Sequence, residues 1–232
     1  MEQLRPNDQR ARYAIAMIWV ILFLNTAILI LEFIGLMIEE GFIPIENMPG
    51  FVTWLYLTGH LYASVLVLVA VIVSTVTFIM WFRRAYYNIG LRVNNLLYGD
   101  GWAAGSWFIP VINFYMPFQI MKDLYKQTEK YMTFSMKEPY KGNLKTNYVN
   151  LWWTLWIISG FINYFSIRIS WNIDSADLTT LNSFIDLIGA IMQIALCVVT
   201  IVVIKDYSDA EKVLIEERPE ESEDGIPSVP VE

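Results

Sequence analysis

The amino-acid sequence predicts an all-α integral membrane protein: four transmembrane helices, a Pro-containing segment that is re-entrant or interfacial, and amphipathic helices on the cytoplasmic side. Three observations carry this reading. The 232-residue chain is 56% hydrophobic and only 17% charged, leaner in charge than a soluble domain. It contains four apolar stretches of membrane-crossing length. Its Lys and Arg residues also fall almost wholly on one side of the topology those stretches imply.

Residues 1–12 form a short basic N-terminus with Arg5, Arg10 and Arg12. The first span covers about 13–38. It is too long for a signal peptide and reads as a retained anchor. The second covers about 57–82 and stops at Arg83 and Arg84. The third covers about 148–167. The fourth covers about 181–204 and is closed by Lys205. Each holds roughly the 20 residues needed to cross the bilayer core.

A fifth uncharged segment, 101–121, competes with them. It contains Pro110 and Pro117, and either would break a continuous helix. Charge decides its status, because Lys and Arg accumulate in cytoplasmic loops. If the segment does not cross, fifteen basic residues lie inside and only Arg168 lies outside. If it crosses, seven lie inside and nine outside. Four spans with both termini in the cytoplasm follow. The segment must then pack against the helices or a partner, since lipid cannot hydrogen-bond free backbone.

The inner loop, 83–147, is the largest part facing solvent. Residues 83–98 place Tyr86, Ile89, Val93, Leu96 and Leu97 at roughly helical spacing. Residues 122–132 set Leu124, Tyr125 and Tyr131 among Lys122, Lys126 and Lys130. Both read as surface helices on the inner leaflet. Residues 83–145 carry nine bases and four acids, a collar suited to anionic lipid headgroups and also accounted for by the positive-inside rule alone. The tail, 205–232, holds most of the chain's excess acid: ten acids against two bases over 206–232. With Pro219, Pro227 and Pro230 and few large apolar residues, it reads as disordered.

A string of residues in the middle of the chain resembles a known family. Trp81, Phe82, Arg84, Tyr86 and Asn88 are followed by Gly101-Trp102, then Trp107-Phe108-Ile109-Pro110, Asn113 and Pro117. This pattern is similar to the bacterial membrane family designated domain of unknown function 4328. The resemblance implies a shared fold and a cytoplasmic (inner) membrane location, and it implies no activity. Asp100 stands where the family pattern has Pro before the Gly-Trp pair.

The candidate functional residues are ionisable groups at membrane depth, which are costly there. Glu32, His60, Arg168 and Asp186 all fall in the outer third of their spans. They form either one polar cluster or four side chains that separately reach outer headgroups. His60 is either a pH-responsive group or polar filling. Asn25 and Asn163 are expected to hydrogen-bond between helices. Asn113 is expected to satisfy backbone freed by Pro110.

One Cys (Cys197) and one His preclude a disulfide within the chain and argue against a Cys/His metal site or other cofactor. Gly99-Asp100-Gly101 has the wrong order for an intramembrane aspartyl protease, and no hydrolase or phosphate-binding motif is present. The basic surface is too small for nucleic acid. The expectation is a non-enzymatic accessory, scaffold or assembly subunit with a membrane-protein partner or a second copy of itself. The alternative is a small-solute or ion transporter or channel acting as an oligomer, and an inner-leaflet lipid enzyme ranks below both.

Overall fold

The computed structural model describes residues 4–44, 46, 48–134, 144–171 and 176–216. Among them lie six α-helices and no strand: α1 (Asp8–Glu39), α2 (Gly50–Gly90), α3 (Trp102–Gly105), α4 (Met116–Phe134), α5 (Thr146–Ser170) and α6 (Ala176–Glu216). A 3-10 turn, Ile112–Phe114, precedes α4. Stretches within Asp8–Ile38, Leu61–Gly90 and Thr180–Glu216 are long and apolar enough to cross a membrane. The 25 residues of α5 reach about 37 Å, but Asn150, Asn163 and Arg168 keep its hydropathy below that of the other three.

The long helices outrun a bilayer. At about 1.5 Å per residue, the 41 residues of α2 reach roughly 60 Å, against a hydrocarbon core of about 30 Å. Their apolar parts end at Arg83 in α2 and Lys205 in α6. Beyond those points the helices continue as a folded, basic end of the bundle, called the inner end after the orientation the sequence predicts. Here Asn7 at the start of α1, Asn88 near the end of α2 and Glu211 near the end of α6 touch one another. The opposite end of the bundle joins Ser166 near the end of α5 to Asp186 near the start of α6. The long helices therefore alternate in direction through one layer.

α1 packs along both α2 and α6, and α6 packs along α5 as well. The four helices thus stand in a row, α2–α1–α6–α5, with α2 and α5 at its ends. The hydrophobic core is concentrated toward the inner end. Trp81, Phe82, Tyr86, Ile89, Leu124, Tyr125, Ile204 and Tyr207 are fully buried there.

Several sequence expectations are corrected. The surface helix expected over 83–98 does not exist as such: α2 runs on to Gly90 and its Tyr86 and Ile89 are buried in protein, not laid on lipid. The segment 101–121 is three pieces: α3, the 3-10 turn and the first turn of α4. Pro117 breaks nothing, because it falls in that first turn, where its missing N–H has no helical partner to lose. Pro110 opens a tight reversal: the Ile112 N–H donates to the Pro110 carbonyl at 2.8 Å, and Val111 between them takes φ +70°, a γ-turn geometry that is strained for a β-branched residue. The tail is not disordered from 205, since α6 stays helical to Glu216 with Tyr207, Ala210, Glu211 and Leu214 buried. Residues 217–232 lie outside the described residues.

Candidate functional site

The open row of helices leaves a cleft between α2 and α5. Ile18, Ile21 and Asn25 of α1 and Leu196 and Cys197 of α6 form its back wall. Val71 of α2 and Phe161 and Tyr164 of α5 line its two lips and are well exposed. The cleft therefore opens sideways. Its volume is about 850 Å³, within the range of roughly 300–1,000 Å³ usual for small-molecule sites.

Its floor is aromatic. Trp107, carried on the loop after α3, meets Phe78 of α2 edge-on at 5.8 Å and Trp152, Trp153 and Trp156 of α5 at 6.2–6.3 Å. Trp153 stacks on Trp156 at 4.8 Å, and Phe118 of α4 stacks on the other side of the group at 5.8 Å. The family-like segment thus bridges the two end helices and lines the inner end of the cleft. The Trp107 Nε1–H and the Ser159 hydroxyl, both on cleft-lining residues, have no hydrogen-bond partner among the described residues. Ser159 is only 3% exposed.

Below this floor lies a buried polar cluster. Glu211 accepts from Asn7 Nδ2 at 2.9 Å and Asn88 Nδ2 at 2.7 Å. Asn88 also pairs with the backbone of Arg5 through both its amide atoms. Asn7 reaches the Trp81 carbonyl as well, so its side chain leaves the helix start it would otherwise cap. Burial pushes the Glu211 carboxyl up to about 7, opposed by its two Asn donors. On the other face of α2, Asp123 accepts from the Tyr86 hydroxyl at 2.7 Å, the Leu97 N–H at 2.9 Å and Gln127 at 3.2 Å. Burial and this carboxylate both push the Tyr86 phenol up. Tyr125 donates to the Val203 carbonyl at 2.8 Å, and Tyr207 bonds Thr128. These bonds tie α4 to the inner end of α6.

The family-motif residues now have places. Trp81, Phe82, Tyr86 and Asn88 are core residues of the inner cluster. Gly101 and Trp102 open α3, with Trp102 N–H bonded to the Gly99 carbonyl. Arg83 and Asp100 form an exposed pair at 3.5 Å, of little energetic weight. Asn113 does not serve Pro110 through its Oδ1, which is buried without a partner.

The proposed outer set is only partly resolved. Asp186 bonds Ser166 and Asn182, linking α5 with α6. Glu32 lies on α1 and Arg168 on α5, both away from the cleft floor. The His60 side chain lies outside the described residues. Asn25 is buried on α1 facing Cys197 of α6. Asn163 sits against Gly189, where a Cβ would come within 3.9 Å of its Oδ1 and 3.3 Å of the Ile162 side chain, a close helix approach that a small residue eases.

The family model described as domain of unknown function (DUF4328) matches residues 54–209, two thirds of the chain. The chain belongs to the DUF4328 family. No curated protein and no solved structure matches it. In this family member the matched region contains the cleft lips, the aromatic floor, Asn88 and Asp123. Asn7 and Glu211, which complete the inner cluster, stand outside it, Glu211 two residues past its end.

Proposed function

We propose that this DUF4328 protein is a non-catalytic subunit of the bacterial cytoplasmic membrane, an accessory, scaffold or assembly component that works by holding another bilayer component in the α2–α5 cleft. The sideways opening of that cleft supports the reading. Within a membrane, such an opening faces lipid and neighbouring proteins rather than water. In this reading α5 is a fourth crossing helix, because it runs beside α6 through the same layer as the three more apolar helices. Both termini are cytoplasmic, since the start of α1 and the end of α6 share the basic end of the bundle. The segment bearing Phe108 and Val111, both more than 70% exposed, dips its apolar tip into the inner leaflet.

Photoreactive residues in place of Val71 or Phe161 test the cleft, with Phe23 on the outward face of α1 as a control. Discrete adducts are expected at the two cleft positions and a diffuse lipid background at position 23. Identical patterns at all three positions would overturn the cleft as a binding site.

Orientation has its own test. Phe134, the last residue of α4, and Trp171, which follows the end of α5, are both exposed. Phe134→Cys is expected to label only from the cytoplasm and Trp171→Cys only from outside. Labelling of both from one side would mean that α5 does not cross. A transport reading draws on Asn25, Ser74 and Gln193 along the same cleft. Absence of solute flux in proteoliposomes would remove it.

A further inference from the structure

Resting on the cleft reading above, we infer that the occupant of the α2–α5 cleft is an anionic glycerophospholipid of the inner leaflet, its acyl chains between α2 and α5 and its phosphate at Lys122. Three independent observations lead to this class of ligand.

The first is chemistry along the cleft. Its walls are chiefly Ile, Val, Leu and aromatic carbon, and its lips are open to hydrocarbon. A water-soluble solute gains little from such walls outside a few polar positions such as Asn25, Ser74 and Gln193, whereas an acyl chain trades lipid neighbours for a fitted surface.

The second is the floor. Trp107 Nε1–H can only donate, and it is buried there without an acceptor; the Ser159 hydroxyl is buried nearby, also unpartnered. Leaving such groups unpaired is unfavourable. The ester carbonyls of a glycerolipid are acceptors located where the acyl chains meet the headgroup. That is also where the aromatic floor meets the basic inner surface.

The third is charge at the inner mouth. Lys122 Nζ stands 5.0 Å over the Phe118 ring. That ring stacks on Trp153, which stacks on Trp156 of the cleft wall. Two stacked rings, Phe118 and Trp153, thus separate Lys122 from the cleft wall at Trp156. Arg83 is already engaged by Asp100, while no carboxylate pairs with Lys122 among the described residues. Lys126 is exposed one turn further along α4. A phosphate without a compensating cationic headgroup group fits this mouth better than a zwitterion does.

The full-length protein, carrying a photoreactive residue at Phe161, is reconstituted in nanodiscs of equal phosphatidylglycerol and phosphatidylcholine, and adduct masses are read. Wild type is expected to favour phosphatidylglycerol about fivefold, the weight of one basic side chain at an anionic surface. Lys122→Gln is expected to bring the ratio near one while total adduct stays level. Gly160→Phe is expected to reduce adducts of both lipids several-fold. Gly160 lines the cleft, and no heavy atom lies within 4 Å of where its Cβ would stand, so a side chain there starts in open space at the cleft; a thermal midpoint equal to that of wild type checks that the bundle is intact. An equal ratio in wild type, or an unchanged ratio in Lys122→Gln, overturns the anionic assignment. In native membranes, a discrete protein adduct at position 161 overturns the lipid assignment and leaves the cleft reading standing. Adducts no stronger than those at position 23 overturn both.

Discussion

Raising the pH from 6 to 8 is expected to destabilise the inner end of the protein, and Glu211→Gln is expected to remove that loss. The Glu211 carboxyl is only 3% exposed, and burial raises it from 4.5 to about 7. The folded state therefore binds a proton that the unfolded chain releases at lower pH. A group raised in this sense stabilises fully below about pH 4.5 and ceases to do so above about 7. The whole effect is on the order of 3 kcal/mol, and the part lost between pH 6 and 8 is roughly 1 kcal/mol.

Thermal unfolding of the detergent-solubilised protein across that pH range measures it. Gln at 211 keeps the shape and stays neutral. Its amide meets two Asn donors, and Asn7, whose Oδ1 is buried without a partner, can turn to accept. An equal pH slope in wild type and Glu211→Gln would place the titration elsewhere.

Trp81→Ala is expected to cost about 3–5 kcal/mol. The indole is fully buried, packs on Phe78 at 5.5 Å and edge-on against Tyr207 at 6.1 Å, and donates to Ser208 Oγ at 3.2 Å. Its removal opens a void between α2 and α6 at the level where α1 begins. Trp81→Phe keeps much of the packing and is expected to lose only about 1 kcal/mol with the hydrogen bond. Chemical unfolding in mixed micelles ranks the three proteins. A Trp81→Ala protein within 1 kcal/mol of wild type would show that the inner cluster does not hold the bundle together.

These two residues differ in how readable they were. Trp81 was legible, because it opens the family-like string Trp81, Phe82, Arg84, Tyr86 and Asn88 at the end of an apolar run that stops at Arg83 and Arg84. Glu211 did not. It stands among acids that look like a solvated tail, and its own stripe of Tyr207, Ala210 and Leu214 at helical spacing was the available signal. Asp123 was hidden in the same way by the Lys residues around it. The cleft could not be read at all. Its lining comes from α1, α2, α5, α6 and the α3–α4 connection, and no local pattern says which pair in a row of helices is left apart.

Apolar length and the placement of Lys and Arg settled, from the residues alone, that this is a helical membrane protein with a broken fifth segment, because both depend only on the solvent each stretch prefers. Packing settled the rest: that α2 and α6 continue as helices past their apolar stretches, that Asn7, Asn88 and Glu211 meet across more than two hundred residues of chain, and that the broken segment lines a sideways cleft. Those are contacts between distant parts of the chain. Hydropathy is a property of each stretch by itself, and carries no information about which stretches become neighbours.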